Sequence, residues 1–212
     1  RELTGDDRVA IVAYAGSSGV VLDPTPGHEK QKILRALESL RPGGSTHGSS
    51  GIRLAYQLAS DHFIRGGVNR VILASDGDFN VGITDRGELI RFIEEQRQSG
   101  VFLSVLGFGT GNLQDATMES LADKGNGSYH YIDSEREARK VLVEELNATL
   151  VTIAKDVKLQ VEFNPERVRE YRLIGYENRH LANRDFDDDK KDAGEIGAGH
   201  SVTALYEIVL ND

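Results

Sequence analysis

The sequence predicts an α/β fold: a doubly wound, mostly parallel sheet followed by a small antiparallel β module. Three observations carry that reading. Short, nearly all-apolar runs rich in β-branched residues alternate with segments of helical periodicity, the pattern of parallel strands covered by helices on both faces. Gly-rich turns separate them. Beyond about Ala154 the helical spacing gives way to strict apolar–polar alternation.

The elements follow in order. Arg8 to Ala15 (RVAIVAYA) reads as a buried strand. Gly16-Ser17-Ser18-Gly19 is a turn into a second short strand, Val20 to Leu22, forming an edge hairpin. Pro24 and Pro26 break the pattern. Ile33, Leu34, Leu37 and Leu40 then recur at helical spacing until Pro42-Gly43-Gly44. Ile52, Leu54, Ala55, Leu58, Ala59 and Phe63 carry the next helix, stopped by Gly66-Gly67, and Val71 to Ala74 is a strand running into Ser75-Asp76-Gly77-Asp78.

Leu89, Ile90 and Ile93 mark a helix that Gly100 ends, and Val101 to Phe108 (VFLSVLGF) is another buried strand. Met118, Leu121 and Ala122 mark a further helix, and Tyr129 to Ile132 a final strand. Ala138, Val141, Leu142, Val143, Leu146 and Leu150 describe one long amphipathic helix. The division expected is an α/β domain over 1–154 and a β module over 155–212. In the second part Val157, Leu159, Val161 and Phe163 alternate with Lys158, Gln160 and Glu162, as a half-solvated strand does, and Tyr171 to Tyr176 and Val202 to Val209 read similarly.

Composition removes several classes of function. The 212 residues suffice for one sizeable domain with a small appendage. At 39% hydrophobic and 28% charged residues the chain is an ordinary folding sequence rather than a disordered one. No apolar run approaches the roughly 20 residues a membrane helix needs. Lys and Arg number 25 against 34 Asp and Glu, a net charge of -9, which opposes a sequence-independent grip on nucleic acid and suits cations or basic partners. Without cysteine there is no thiolate nucleophile, disulfide or zinc–thiolate site. The chain opens at Arg1 and enters a strand almost at once, so it is expected to be a piece of something longer.

Ligands in an open parallel sheet bind outside the carboxyl ends of the strands. Three loops are expected there: Gly43 to Ser50, Ser75 to Asn80 and Gly107 to Asn112. Asp76 directly follows a strand, and Thr46, with Ser45, Ser49 and Ser50, supplies hydroxyls just before a helix. A Thr hydroxyl and an Asp carboxylate are hard oxygen donors suited to part of a Mg²⁺ shell. The same residues serve equally as a helix N-cap and an Asx turn, and both readings stand on spacing alone.

The succession "GGSTHGSSGIRLAYQLA", "VNRVILASDGDFNVGI" and "GVFLSVLGFG" resembles a von Willebrand factor A (VWA) domain. More narrowly, with "EFNPERVREYRLIGYENRHL" and "DFDDDKKDAGEIGAGHSVTALYEI" in the tail, the whole chain resembles bacterial VWA proteins of the YfbK type. That resemblance implies a metal-ion-dependent adhesion site built from a DxSxS motif after the first strand, a Thr in a second loop and an Asp in a third. Thr46 matches the Thr and Asp76 the Asp. It also implies Mg²⁺ or Mn²⁺ as cofactor, a partner protein offering an acidic side chain, and a cell-envelope, periplasmic or extracellular location.

No DxSxS occurs in these residues, because the chain begins where the family's second strand begins. The absent strand is central in such a sheet, so a gap is expected between the Arg8–Ala15 and Val71–Ala74 strands, filled by a preceding segment or by another chain.

Other signals are weaker. Gly107-x-Gly109-x-Gly111 has its third glycine misplaced for a dinucleotide loop and reads as a tight strand-to-helix turn. Gly44 to Gly48 has the outline of a nucleophile elbow without the preceding strand, and His47 reads as a solvated loop residue. The acidic run Asp185, Asp187, Asp188, Asp189 and Asp192 lacks the glycine and final glutamate of a calcium loop. Asn126 and Asn147 fit glycosylation acceptors formally. The leading expectation is a non-enzymatic, cation-dependent protein-binding module; a metal-free structural scaffold is the alternative, and a metal-dependent hydrolase lacks a convincing base or nucleophile.

Overall fold

The computed structural model describes residues 3–14, 19–41, 48–75, 86–109, 115–144, 152–175, 181–188, 194–199 and 201–211. The first hairpin joins β1 (Arg8–Ala13) and β2 (Gly19–Pro26), antiparallel, with Val9 opposite Thr25 and Ala13 opposite Gly19. Two helices follow, α1 (Lys30–Ser39) and α2 (Gly48–Asp61). A parallel sheet then builds from β3 (Asn69–Ser75), β4 (Val101–Phe108) and β5 (Tyr129–Ile132), in that spatial order. Helices α3 (Arg86–Gln98) and α4 (Asp115–Lys124) make its crossovers. The expected α/β architecture is present, with small antiparallel sheets beyond it.

β4 is buried along almost its whole length, as its largely apolar run requires when helices cover both faces. On one face Val101, Leu103 and Val105 meet Ile52 and Tyr56 of α2, Leu89 and Ile93 of α3, and Met118, Leu121 and Ala122 of α4. On the other, Leu106 and Ile132 pack with Val141. A polar line crosses this second face. Arg70 Nη1 donates to Ser104 Oγ at 2.6 Å, Ser128 N donates to the same oxygen at 3.4 Å, and His130 Nε2 lies 3.0 Å from Ser128 Oγ. Ser104 is wholly buried, and these bonds offset the cost of its desolvation.

Several expectations are corrected. β1 reads as buried from sequence, yet none of its residues is fully buried, because β2 is its one ladder partner among the described residues. The gap expected between β1 and β3 is not one of these corrections: the two strands do not pair, although α2 packs against both. β3 alternates, with Val71 and Leu73 inside and Ile72 43% exposed on a face that the described helices leave uncovered. Of the helix expected over Ala138–Leu150, the part among the described residues, to Glu144, is irregular. α5 (Glu135–Arg139), capped by Ser134 Oγ accepting from Glu137 N at 3.2 Å, widens into a π-helical turn over Lys140–Glu144. That turn buries Val141 and leaves Val143 57% exposed; Leu146 and Leu150 lie outside the described residues.

In the tail, β6 (Thr152–Val157) pairs with β8 (Gly194–Gly197), and β7 (Val168–Ile174) with β9 (Leu205–Leu210), both antiparallel. β6 straddles the expected division at 154/155, and Lys158 to Phe163 is not the strand its alternation predicts. Its two ends are held by side chains instead. Lys158 Nζ donates to the Asp188 carbonyl at 2.8 Å, and Phe163 stacks on Tyr171 and Tyr206 of the β7–β9 pair, with ring centroids 4.8 and 5.3 Å away. Leu159 and Val161 between them are exposed, so the alternation in this stretch does not follow burial.

The turn between α4 and β5 depends on glycine. A Cβ on Gly127 would fall 1.7 Å from the Leu103 carbonyl oxygen, and Asn126 beside it has φ of 51°. Asn126 Oδ1 accepts from Arg97 Nη1 at 3.1 Å, so this formal glycosylation acceptor is engaged within the fold.

Two stability predictions follow from the packing. Ile93→Ala removes a fully buried side chain and is expected to cost about 2–5 kcal/mol in urea unfolding, whereas Leu34→Ala, on the exposed side of α1, costs within about 1 kcal/mol. Equal losses would contradict the core assignment. Gly127→Ala, tested the same way, lowers stability by more than the roughly 1 kcal/mol typical of point substitutions, because backbone rather than a flexible side chain must move.

Candidate functional site

Thr46 and Asp76 both lie outside the described residues, as do His47, Gly111, Asp189, Asp192 and Asn147. What the structure describes is the frame that carries the two loops. β3 and β4 run parallel and end level, with Ser75 paired to Gly107. The residues just before Asp76 and the loop after β4 therefore leave the same edge of the sheet, where strand-to-helix connections of an α/β fold converge. α2 begins at Gly48, just after Thr46, and packs across β1, β2, β3 and β4.

Tyr14 brings the two loop roots together. It directly follows β1, and its hydroxyl donates to the Ala74 carbonyl oxygen at 2.5 Å, next to the end of β3. In the first turn of α2, Gly51 lies so close to Tyr14 that an added Cβ would fall 2.4 Å from the tyrosine Cβ. The side that precedes Asp76 and the side that follows Thr46 thus meet on one tyrosine.

The third loop is anchored at both ends by tyrosines of β5. Tyr131 OH donates to the Gly109 carbonyl at 2.7 Å, and Tyr129 OH donates to Asp115 Oδ1 at the start of α4. Burial, then the bond and charge of Asp115, hold the Tyr129 phenol well above the usual tyrosine range, so it stays a neutral donor. Gly109 has φ of 99°, a conformation open to glycine.

These tyrosines were not singled out in the sequence. The available signal was a phenol inside or next to an apolar strand, since a hydroxyl carried into such surroundings needs a partner. The partner itself, a backbone carbonyl far along the chain, leaves no mark in sequence.

The donor chemistry expected of the site, a hydroxyl and a carboxylate oxygen, fits a hard divalent cation. Thr46 and Asp76 would hold it, and a bound cation there would supply positive charge toward an incoming carboxylate. Among the described residues no group of three or more His, Cys, Asp or Glu is arranged to hold a metal, the described part of the acidic run included. No described helix is long and apolar enough to cross a membrane.

Comparison with known proteins agrees with this architecture. The chain is 51% identical over 211 residues to the Escherichia coli (strain K12) protein described as Uncharacterized protein YfbK, covering 100% of this chain and 37% of that relative. It is 28% identical over 136 residues to Uncharacterized protein sll0103 of Synechocystis, covering 64% of this chain and 31% of that protein. The chain thus spans about a third of the length of these curated relatives. Among solved structures, a von Willebrand factor type A protein from Catenulispora acidiphila aligns with a TM-score of 0.58 at 17% identity, covering 73% of this chain and 37% of its own. The SpRpn10 VWA domain aligns at 0.51 and 16%, covering 63% and 70%. At such identities these two likenesses speak for the fold alone. Residues 148–212 match the family described as Uncharacterized protein YfbK, C-terminal. Residues 2–165 match the von Willebrand factor type A domain, and the chain belongs to that family.

Proposed function

We propose that this VWA domain is a non-enzymatic protein-binding module in which Thr46 and Asp76 help to hold Mg²⁺ or Mn²⁺, and that the cation grips an acidic side chain of a partner protein. VWA domains commonly mediate protein interactions, which supports the coarse reading. The observation that supports the finer one is the meeting of the roots of both loops on Tyr14, through the Ala74 carbonyl and through Gly51.

Two protein oxygens leave most of a Mg²⁺ shell to water or to further ligands. That β1 and β3 do not pair with each other supports a further strand between them as the source of such ligands, from a preceding segment or from another chain. The α/β part, taken as 1–154, would carry the binding site, with 155–212 as an appended β module and the whole protein at the cell envelope. A metal-free scaffold is the second reading. It draws on the same open edges, since a domain whose central strand is supplied by a partner can act through assembly alone.

Mn²⁺ titration by calorimetry tests the metal reading. The wild-type chain is expected to bind, and Asp76→Ala and Thr46→Ala each weaken binding by at least the roughly 10–100-fold that loss of an outer-shell partner costs. In the longer protein EDTA should release the partner. Binding that is equal in all three chains, or capture indifferent to EDTA, would favour the scaffold.

A further inference from the structure

The turn between α4 and β5 carries the one Asn–Gly step in the sequence, Asn126-Gly127. Such a step has a chemistry of its own. Asparagine is among the thermolabile residues, and a glycine after it leaves its own backbone nitrogen unshielded by a side chain. That nitrogen attacks the asparagine Cγ. The bond from Gly127 N to Asn126 Cγ forms, the bond from Cγ to the side-chain nitrogen breaks, and ammonia leaves with the proton from Gly127 N. The cyclic imide then takes up one water. Opening at one carbonyl gives aspartate, and opening at the other gives isoaspartate, in which the main chain runs through the former side chain.

The fold holds both reacting groups. Gly127 N donates to the Ala122 carbonyl at 3.0 Å, and Asn126 Oδ1 accepts from Arg97 Nη1 at 3.1 Å. Asn126 itself is fixed at φ of 51°, with its N–H donating to the Asp123 carbonyl at 3.2 Å. A backbone nitrogen whose proton is engaged in this way is released only when the turn opens. The way back differs for the two products. Aspartate keeps the main chain unchanged and sets a carboxylate beside Arg97. Isoaspartate adds a main-chain carbon between residues 126 and 127. That carbon enters a turn docked on β4 at both ends, by Leu103 N on the Gly125 carbonyl and Val105 N on the Ser128 carbonyl, each at 2.9 Å. Gly127 has no space to give, since a Cβ there would already fall 1.7 Å from the Leu103 carbonyl oxygen.

We infer that Asn126-Gly127 is a latent self-modification site gated by the α4–β5 turn. Closed, the turn keeps the asparagine intact; open, it permits conversion, and the isoaspartyl product cannot dock again on β4. The site thereby leaves a one-way covalent record of each chain that has opened there. The reaction needs only water, and the inference is independent of the cation site.

The test follows the tryptic peptide Gly125–Arg136 by mass spectrometry, for aspartyl and isoaspartyl product, during incubation at mildly alkaline pH with and without urea. Conversion in the folded chain should be slower than in urea by about tenfold or more, the gap that turn opening imposes. Equal rates, or no product in urea, overturn the inference. Arg97→Ala should raise the folded-state rate by about 2–10-fold, for one net hydrogen bond, and leave the urea rate unchanged. An unchanged folded-state rate overturns the part given to Arg97. Amide exchange at Gly127 should rise by the same factor as conversion. Conversion that accelerates without exchange overturns the gate, whatever the variant does to overall stability. The purified isoaspartyl chain should lose amide protection at Leu103 and Val105, while Asn126→Asp, which reproduces the aspartyl product, keeps it. Retained protection in the isoaspartyl chain overturns the one-way record.

Discussion

β4 holds the α/β part together. It has ladder partners on both edges, β3 and β5, and packed side chains on both faces, so it meets helices from either side of the sheet. Val101, Leu103 and Val105 are fully buried, and each such side chain is worth roughly 1.5–3 kcal/mol over its exposed state. The turn between α4 and β5 is docked against β4 by Leu103 N donating to the Gly125 carbonyl and Val105 N to the Ser128 carbonyl, both at 2.9 Å. That close approach explains why Gly127 has no room for a side chain.

Away from β4 the order relaxes in a graded way. β3 has a paired edge toward β4 and buries alternate residues, whereas β1 has no fully buried residue and exposes Arg8 and Ala10. Tyrosine hydroxyls hold the described roots of two of the three expected loops: Tyr14 at Ala74, before the second, and Tyr131 at Gly109 with Tyr129 at the Asp115 carboxylate, on either side of the third. Loops held at their roots can place ligands while the residues between remain free to change from one relative to another. The proposed cation site is therefore a property of the frame as much as of the two residues that would touch the ion.

Much of the fold was legible in the sequence, and the failures have specific causes. The apolar runs of β3 and β4 and the helical spacing of α2 to α4 were read correctly because burial on a regular element imposes a period. Over Lys158 to Phe163 the alternation predicts a strand that does not form: Leu159 and Val161 are exposed, and Phe163 meets Tyr171 and Tyr206 without any ladder. The α5 region kept its apolar spacing but lost its regular geometry at the π-helical turn, a backbone change of one extra residue that spacing does not reveal. For the site, Thr46 and Asp76 came from motif resemblance, and no periodicity could have separated a cation ligand from an N-cap.

By itself the sequence determined the class of the fold, the order of its elements, the family and the absence of thiol chemistry, since these depend on local pattern and on composition. Tertiary structure decided which strands pair among the described residues, that Ile72 of β3 is exposed, and that the Tyr14 hydroxyl meets a backbone carbonyl 60 residues away. The physical reason is that periodicity reports whether a residue is buried, while partner choice depends on distances between segments that the chain brings together only when it folds.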